Sequence, residues 1–327
     1  MRPSSLVPAL WLAVALTLTL HAAGTPVPLG LDLYRPVPLT NPLTAEKVAL
    51  GRQLFHERRL SRDGSLSCAA CHDPDRAFTN GRRTARGVDG APGTRNVPTV
   101  INRAWGASYF WDGRATTLEQ QALGPILNPN ELGATPDAVV ALARSSRYRP
   151  RFLAAFGSEP GIFDVAAALA SYVRTIVAGD APFDRFIAGD ASAIGESARR
   201  GFALFRTRAR CTTCHAGPLL SDERFHNTGV AWRTGTVTDE GRYRVTQAPA
   251  DRGAFKTPTL REIARTAPYM HDGSIPSLAE VIDFYDSGGV PNPGLDREIR
   301  PLQLSKTEKQ DLLAFLRSLT GTIREGM

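Results

Sequence analysis

Apolar positions recur with helical spacing at several places along the chain, each run preceded by residues suited to start a helix. Behind Thr44, whose hydroxyl can accept a first-turn N–H, Val48, Leu54 and Phe55 point inward and predict a helix beginning there. Thr135-Pro136-Asp137 reads as a cap with proline at the first helical position, ahead of a helix through Leu142. The clearest stripe is Val165, Leu169, Tyr172, Val173 and Ile176, on a helix expected to begin at Asp164. Ser305 and Glu308 form a capping box before Leu312, Leu313, Leu316 and Leu319. Alternating strand patterns are scarce, and five prolines in residues 26–42 favour an extended lead-in. The expected fold is mainly α, with long loops.

The first residues follow another pattern. Met1-Arg2, an apolar run over residues 6–20 and the small residues Ala22, Ala23 and Gly24 describe a secretory signal peptide, residues 1–23. The run falls short of the roughly 20 residues that span a bilayer, and no other stretch is long and apolar enough. The mature protein is expected to be exported, soluble and periplasmic, with no membrane attachment after cleavage.

The chain also repeats itself. Gly51-Arg-Gln-Leu54-Phe55 precedes Cys68 as Gly201-Phe-Ala-Leu204-Phe205 precedes Cys211. Pro98-Thr99, Tyr109, Asp112-Gly113 and Leu118 return 160 residues later as Pro258-Thr259, Tyr269, Asp272-Gly273 and Leu278. An ordered series at one offset implies two related domains, residues 24–182 and 183–327, joined through the loop-like stretch 179–190. The last helix, about 305–320, is given the option of packing on the N-terminal domain.

Composition narrows the classes. With 42% hydrophobic and 22% charged residues the chain is not disordered, and a net charge of +7 without a dense basic run interleaved with aromatics excludes a nucleic-acid footprint. All four cysteines fall in Cys68-Ala-Ala-Cys71-His72 and Cys211-Thr-Thr-Cys214-His215, two C-x-x-C-H motifs of the c-type haem attachment kind. Paired zinc-ribbon motifs would stand only ~15–20 residues apart. Each domain is therefore expected to bind one haem covalently, through two thioethers and the adjacent histidine.

Counting ligands constrains the rest. Beyond the signal peptide the histidines are His56, His72, His215, His226 and His271, and the methionines are Met270 and Met327. A His/Met pair can then serve at most one haem unless Met327 folds back, so at least one iron uses another ligand or keeps an open face, where peroxide or O₂ can bind. At the 160-residue offset Trp111 matches His271, and Pro125, which cannot ligate, matches Tyr285, whose phenol can. Tyr285 and Met270 stay open as alternatives.

These motifs resemble the bacterial dihaem cytochrome c peroxidase/MauG superfamily over nearly all of the mature length. The resemblance is carried by the stretches already quoted and by Arg95-Asn96-Val-Pro98-Thr99, Phe110-Trp-Asp-Gly-Arg114, Phe225-His-Asn-Thr-Gly229 and Ala267-Pro-Tyr-Met-His-Asp-Gly273. It implies a peroxide site at the N-terminal haem and an electron-transfer haem in the C-terminal domain, with His72 and His215 as proximal ligands. Glu131 matches the distal acid/base, Gln121 and Pro125 other distal-pocket residues, and Trp111 the tryptophan between the haems. Asn96, Thr266 and Pro268 match an interdomain calcium site. Where peroxidases that need reductive activation carry a ligating histidine, this chain has Val88, and the resemblance favours Tyr285 over Met270 on the second iron. MauG relays holes through a tryptophan ahead of the second motif, where Arg208-Ala-Arg210 stands here.

The leading expectation is a peroxidase that reduces hydrogen peroxide to water with electrons from a small redox protein, a cytochrome c or a copper protein. The alternatives are a MauG-like enzyme oxidising residues of a partner protein and a non-enzymatic dihaem electron carrier. A homodimer stays open.

Overall fold

The computed structural model describes residues 27–31 and 34–326, so the expected signal peptide, residues 1–23, lies outside the described residues. The first half carries α1 (Ala45–Phe55), α2 (Cys68–Cys71), α3 (Leu118–Leu127), α4 (Pro136–Ala143), α5 (Arg149–Phe156) and α6 (Ile162–Thr175), then strand β1 (Val177–Gly179). The second half runs through α7 (Pro182–Ile187) and α8 (Glu196–Arg206), then β2 (Phe225–His226), β3 (Trp232–Arg233), β4 (Thr236–Val237), α9 (Tyr243–Thr246) and β5 (Phe255–Lys256). It closes with α10 (Leu278–Asp286), α11 (Lys306–Arg317) and β6 (Thr322–Arg324). The short strands pair in twos, all antiparallel: β1 with β6, β2 with β5, β3 with β4. The fold is mainly helical, with long connections.

The caps behave as their side chains dictate. Thr44 and Thr135 each accept a first-turn N–H at 3.3 Å, from Lys47 and Ala138. Ser305 and Glu308 make both bonds of a capping box. Helix α6 starts at Ile162, two residues before the expected Asp164. Asp164 stands in the first turn and reaches back to accept the Gly161 N–H at 2.8 Å.

The repeated Gly-x-x-Leu-Phe stretch has a physical origin in the way helices cross. Gly51 lies so close to α6 that a Cβ there would come within 1.9 Å of the Ala168 carbonyl oxygen. Gly201 on α8 meets the Asp311 carbonyl of α11 at the same 1.9 Å. A small residue at each crossing lets the two backbones touch, and the phenylalanine four residues on fills the core: Phe55 sits edge-on to Tyr172 at 5.2 Å, Phe205 against Phe315 at 4.9 Å. Two apolar clusters result. One gathers Leu50, Leu54, Phe78, Ile101, Tyr148, Phe152 and Leu169, the other Leu260, Tyr269, Ile282, Leu312 and Leu316.

Helix α11 packs against α8 in the second cluster, because Leu312, Phe315 and Leu316 face that way. The segment beyond the last helix reaches the first half: Ile323 of β6 opposes Ala178 of β1 and packs on the first cluster. Replacing Gly51 or Gly201 with alanine is expected to overpack its crossing and cost about 1–3 kcal/mol, seen as a lowered melting temperature of the haem-loaded protein.

Candidate functional site

Each C-x-x-C-H motif forms a single helical turn whose histidine closes back on the first cysteine. The His72 N–H donates to the Cys68 carbonyl at 2.8 Å and the His215 N–H to the Cys211 carbonyl at 2.9 Å. The two imidazoles are oriented alike. Nδ1 of His72 lies 3.1 Å from the Phe78 carbonyl oxygen, and Nδ1 of His215 lies 2.9 Å from that of Leu220. A carbonyl only accepts, so each Nδ1 carries the hydrogen and each Nε2 keeps its lone pair for a metal. Burial lowers the His72 pKa and takes that of His215 down to about 4, which keeps both rings neutral, as iron ligation requires. The four thiols are free. Both motifs line one continuous cavity of about 1350 Å³, larger than the ~300–1,000 Å³ of an ordinary single-ligand pocket. Thiols, neutral histidines and cavity fit two covalently attached haems.

The residues expected over the first motif come together. Gln121 and Pro125 on α3, Glu131 on the loop after it, and Trp111 all line the cavity with His72. The loop is folded tightly onto its helix, with the Leu132 N–H on the Pro125 carbonyl at 3.0 Å and the Ala134 N–H on that of Ile126 at 2.9 Å. Glu131 is held at both ends: Asn128 donates its side-chain amide to the carboxylate at 2.8 Å, and Glu131's own carbonyl accepts the Val88 N–H at 2.9 Å. Val88 is only 1% exposed, and a Cβ at Gly87 would lie 1.9 Å from the Asn130 carbonyl. The segment carrying Val88 is thus clamped against the loop that carries the glutamate.

Over the second motif the cavity is lined by Ile282 and Tyr285 of α10 and by Met270. Burial, with Cys211 and Cys214 nearby, pushes the Tyr285 phenol well above its ordinary pKa, so it is neutral until a cation stands beside it. Phe110 and Met270, matched by the repeat, share a left-handed backbone at φ 66° and 71°. The duplication therefore extends to local backbone geometry, while the side chains at matched places differ.

The wall between the motifs is reciprocal. The Asn96 N–H donates to the His271 carbonyl at 2.7 Å, and the Lys256 N–H donates to the Trp111 carbonyl at 2.8 Å. Asn96 and Lys256 are matched by the 160-residue offset, as are Trp111 and His271, so one bond is the twofold image of the other. The Trp111 indole donates to the Asn96 carbonyl at 2.9 Å, and His271 stacks on Phe255 with ring centres 3.6 Å apart. Ion pairs finish the seam. Arg95 binds Asp112 and Asp239, each at 2.7 Å, and Arg103 reaches Glu223, which also accepts from Lys256 at 3.2 Å. Burial drives the Glu223 carboxyl upward, but Arg103 and Lys256 outweigh it and hold it down to about 2. Sequence reasoning missed these pairs, although Arg95-Asn96 and Phe255-Lys256 occupy matched places in the repeat.

Of the remaining expectations, Asn96, Thr266 and Pro268 all line the cavity. Asn96 spends its amide on the Arg82 and Arg83 carbonyls, at 3.0 and 3.3 Å. His56 is exposed at the end of α1. His226 lies between Asp222 and Asp296, at 2.9 and 2.6 Å. Together with Cys214, Asp222 and His226 form the one cluster of metal-ligating side chains found among the described residues. Haem attachment at Cys214 takes its thiol out of that group.

Comparisons with known proteins agree with this geometry. A family model described as di-haem cytochrome c peroxidase matches residues 45–192. The chain is 46% identical over 87% of its length to the methylamine utilization protein MauG of Methylorubrum extorquens, covering 81% of that protein. It is 40% identical to the cytochrome-c peroxidase IdrP1 of Pseudomonas sp. strain SCT, over 94% of this chain and 90% of that one. A crystal structure of a MauG-like protein associated with microbial copper homeostasis superposes with a TM-score of 0.82 at 35% identity, covering 91% and 93% of the two chains.

Two outcomes follow. Replacing Cys68 and Cys71 with alanine is expected to halve the covalently bound haem, from two per chain to one, by haemochrome assay against protein mass. Glu223, depressed from 4.5 to about 2, contributes stability that is complete above pH 4.5 and lost as pH falls through about 2. Glu223→Gln should remove that acid limb and, by leaving Arg103 unpaired, cost about 3–5 kcal/mol at neutral pH in denaturant titrations.

Proposed function

Because this chain belongs to the dihaem cytochrome c peroxidase/MauG family, we propose that it reduces hydrogen peroxide to water at its N-terminal centre. Electrons come from a small redox protein, a cytochrome c or a copper protein, through the C-terminal centre. Two c-type haems, held by Cys68 and Cys71 and by Cys211 and Cys214 with His72 and His215 beneath the irons, supply the redox chemistry when bound.

The observation that carries this reading is the Glu131 carboxylate in the cavity shared with His72, on a loop fixed by Asn128 and Val88. Cleaving peroxide to water requires a proton to move from the inner to the outer oxygen, and a carboxylate held over the pocket does both halves of that transfer. Gln121 presents an amide that orients the peroxide, and Pro125 fills its place in α3 without offering a ligating atom. Val88 likewise offers none, so the peroxide side keeps room for substrate. This disfavours the reading as a mere electron carrier. Trp111, bonded to Asn96 by its indole and to Lys256 by its carbonyl, is the bridge for electrons between centres.

A MauG-like oxidation of a partner protein is the second reading. Val88 in place of a ligating histidine favours it, as do Tyr285 on the cavity wall, where it would ligate the second iron, and the similarity to proteins named MauG. Tyr285 is the ligand we assign there, with Met270 as its competitor. A calcium ion at Asn96, Thr266 and Pro268 is also part of the reading, supported by the family pattern and by their place on the cavity wall. Export to the periplasm is supported by the pattern of residues 1–23, and no described helix is long and apolar enough to cross a membrane.

Glu131→Gln is expected to slow peroxide turnover by about 10²–10⁴-fold while both haems stay attached, in stopped-flow assays with reduced cytochrome c. An unaffected rate removes Glu131 from the mechanism. Tyr285→Phe should change the spectrum of the C-terminal haem alone, and an unchanged spectrum returns the ligand to Met270.

A further inference from the structure

The chain holds seven tyrosines, and they differ in where a phenol proton can go. Tyr109, Tyr269 and Tyr285 line the cavity. Tyr109 donates to the Arg103 and Gly106 carbonyls at 3.2 and 3.3 Å, and Tyr269 donates to the Ile263 carbonyl at 2.9 Å. A carbonyl oxygen accepts a hydrogen bond but does not keep the proton. Two tyrosines donate to a carboxylate instead: Tyr148 to Glu57 at 2.7 Å, and Tyr172 to Glu325.

These two are not equivalent. The Tyr148 ring lies beside two guanidinium groups, Arg59 and Arg147, at 5.8 and 5.5 Å from its centre, and that positive charge opposes loss of an electron. No guanidinium lies over the Tyr172 ring among the described ring contacts; the one cation beside its phenol, Arg52, is paired with Glu325. The Tyr172 ring stands edge-on to Phe55 at 5.2 Å, and Phe55 lines the cavity with His72. Leu169 and Val173, flanking Tyr172 on α6, line it too. Tyr172 is fully buried, whereas the Glu325 side chain is 28% exposed and paired with Arg52 at 2.9 Å. One aromatic layer therefore separates the phenol from the first centre, and its carboxylate partner opens toward water. Burial, and then the bond to Glu325, raise the Tyr172 pKa well above the ordinary value, so the phenol is neutral at rest.

We propose that Tyr172 and Glu325 form a proton-coupled redox site through which an oxidising equivalent leaves the N-terminal centre. The inference rests on peroxide reduction at that centre. Reduction of one peroxide to two waters takes two electrons; when no donor is bound, the haem centres would supply one and Tyr172 the other. The phenol O–H breaks, its electron passes toward the first centre past Phe55, and its proton joins Glu325, leaving a neutral tyrosyl radical and a carboxylic acid. An electron from the donor protein, with the proton returned from Glu325, restores both groups. The coupling follows from the chemistry of the pair, since an oxidised phenol is a strong acid and Glu325 already accepts its hydrogen bond.

The test mixes the full-length, haem-loaded, oxidised protein with hydrogen peroxide in the absence of donor and records EPR spectra after rapid freezing. A tyrosyl signal that narrows on incorporation of ring-deuterated tyrosine is expected. It should be lost in Tyr172→Phe and retained in Tyr148→Phe. Glu325→Gln keeps an oxygen for the hydrogen bond but cannot hold the proton, so it too should lose the signal while melting as the parent does. A full signal in Tyr172→Phe or in Glu325→Gln overturns the proposal. So does the absence of any tyrosyl signal while peroxide still bleaches the haem bands, an outcome that leaves the peroxidase reading intact. Haem bands that do not respond to peroxide at all overturn both.

Discussion

Two backbone hydrogen bonds running in opposite directions across the middle of the molecule set the frame for everything else. Asn96 to His271 and Lys256 to Trp111 are the same bond made twice, once from each half. Because main-chain groups make them, they fix how the two halves face each other whatever side chains they carry. The cavity that receives both motifs follows from that docking, and so does the place of Trp111 on the wall between them. The Arg103–Glu223–Lys256 group and the Arg95 pairs then neutralise charge along a largely buried seam.

Within this near-symmetric frame, chemistry is divided by side chains at matched places. Proline at 125 is matched by tyrosine at 285, phenylalanine at 110 by methionine at 270, and tryptophan at 111 by histidine at 271. The first half loses ligating atoms above its motif and gains Glu131 on a clamped loop; the second half gains a phenol and a thioether. One backbone thus presents two cavity regions lined by different side chains. No rearrangement of the fold is needed to tell them apart.

Much of this was legible in the order of residues because the signals were local or repeated. Thr44, Thr135 and the Ser305/Glu308 box start their helices, and the glycine four residues before a phenylalanine marks the tight crossing in both halves. The two C-x-x-C-H turns needed only their own spacing. What escaped was decided by partners far away in the chain. Arg95 and Asp239 meet only once the halves dock, and Tyr172 and Glu325 only because the tail returns to the first half. The start of α6 was misplaced by two residues because a carboxylate in the first turn resembles a cap from sequence alone. Asn128 sat in view beside Glu131, but its bond to that carboxylate depends on how the loop folds back on α3.

The pairing of β1 with β6 also bears on assembly. Val177, Ala178 and Gly179 find their partners only at Arg324, Ile323 and Thr322, after the whole second half has been made. Folding of the first half by itself therefore leaves β1 without its strand partner. The first half must wait with an open edge, and its closure records that the second half has already been built.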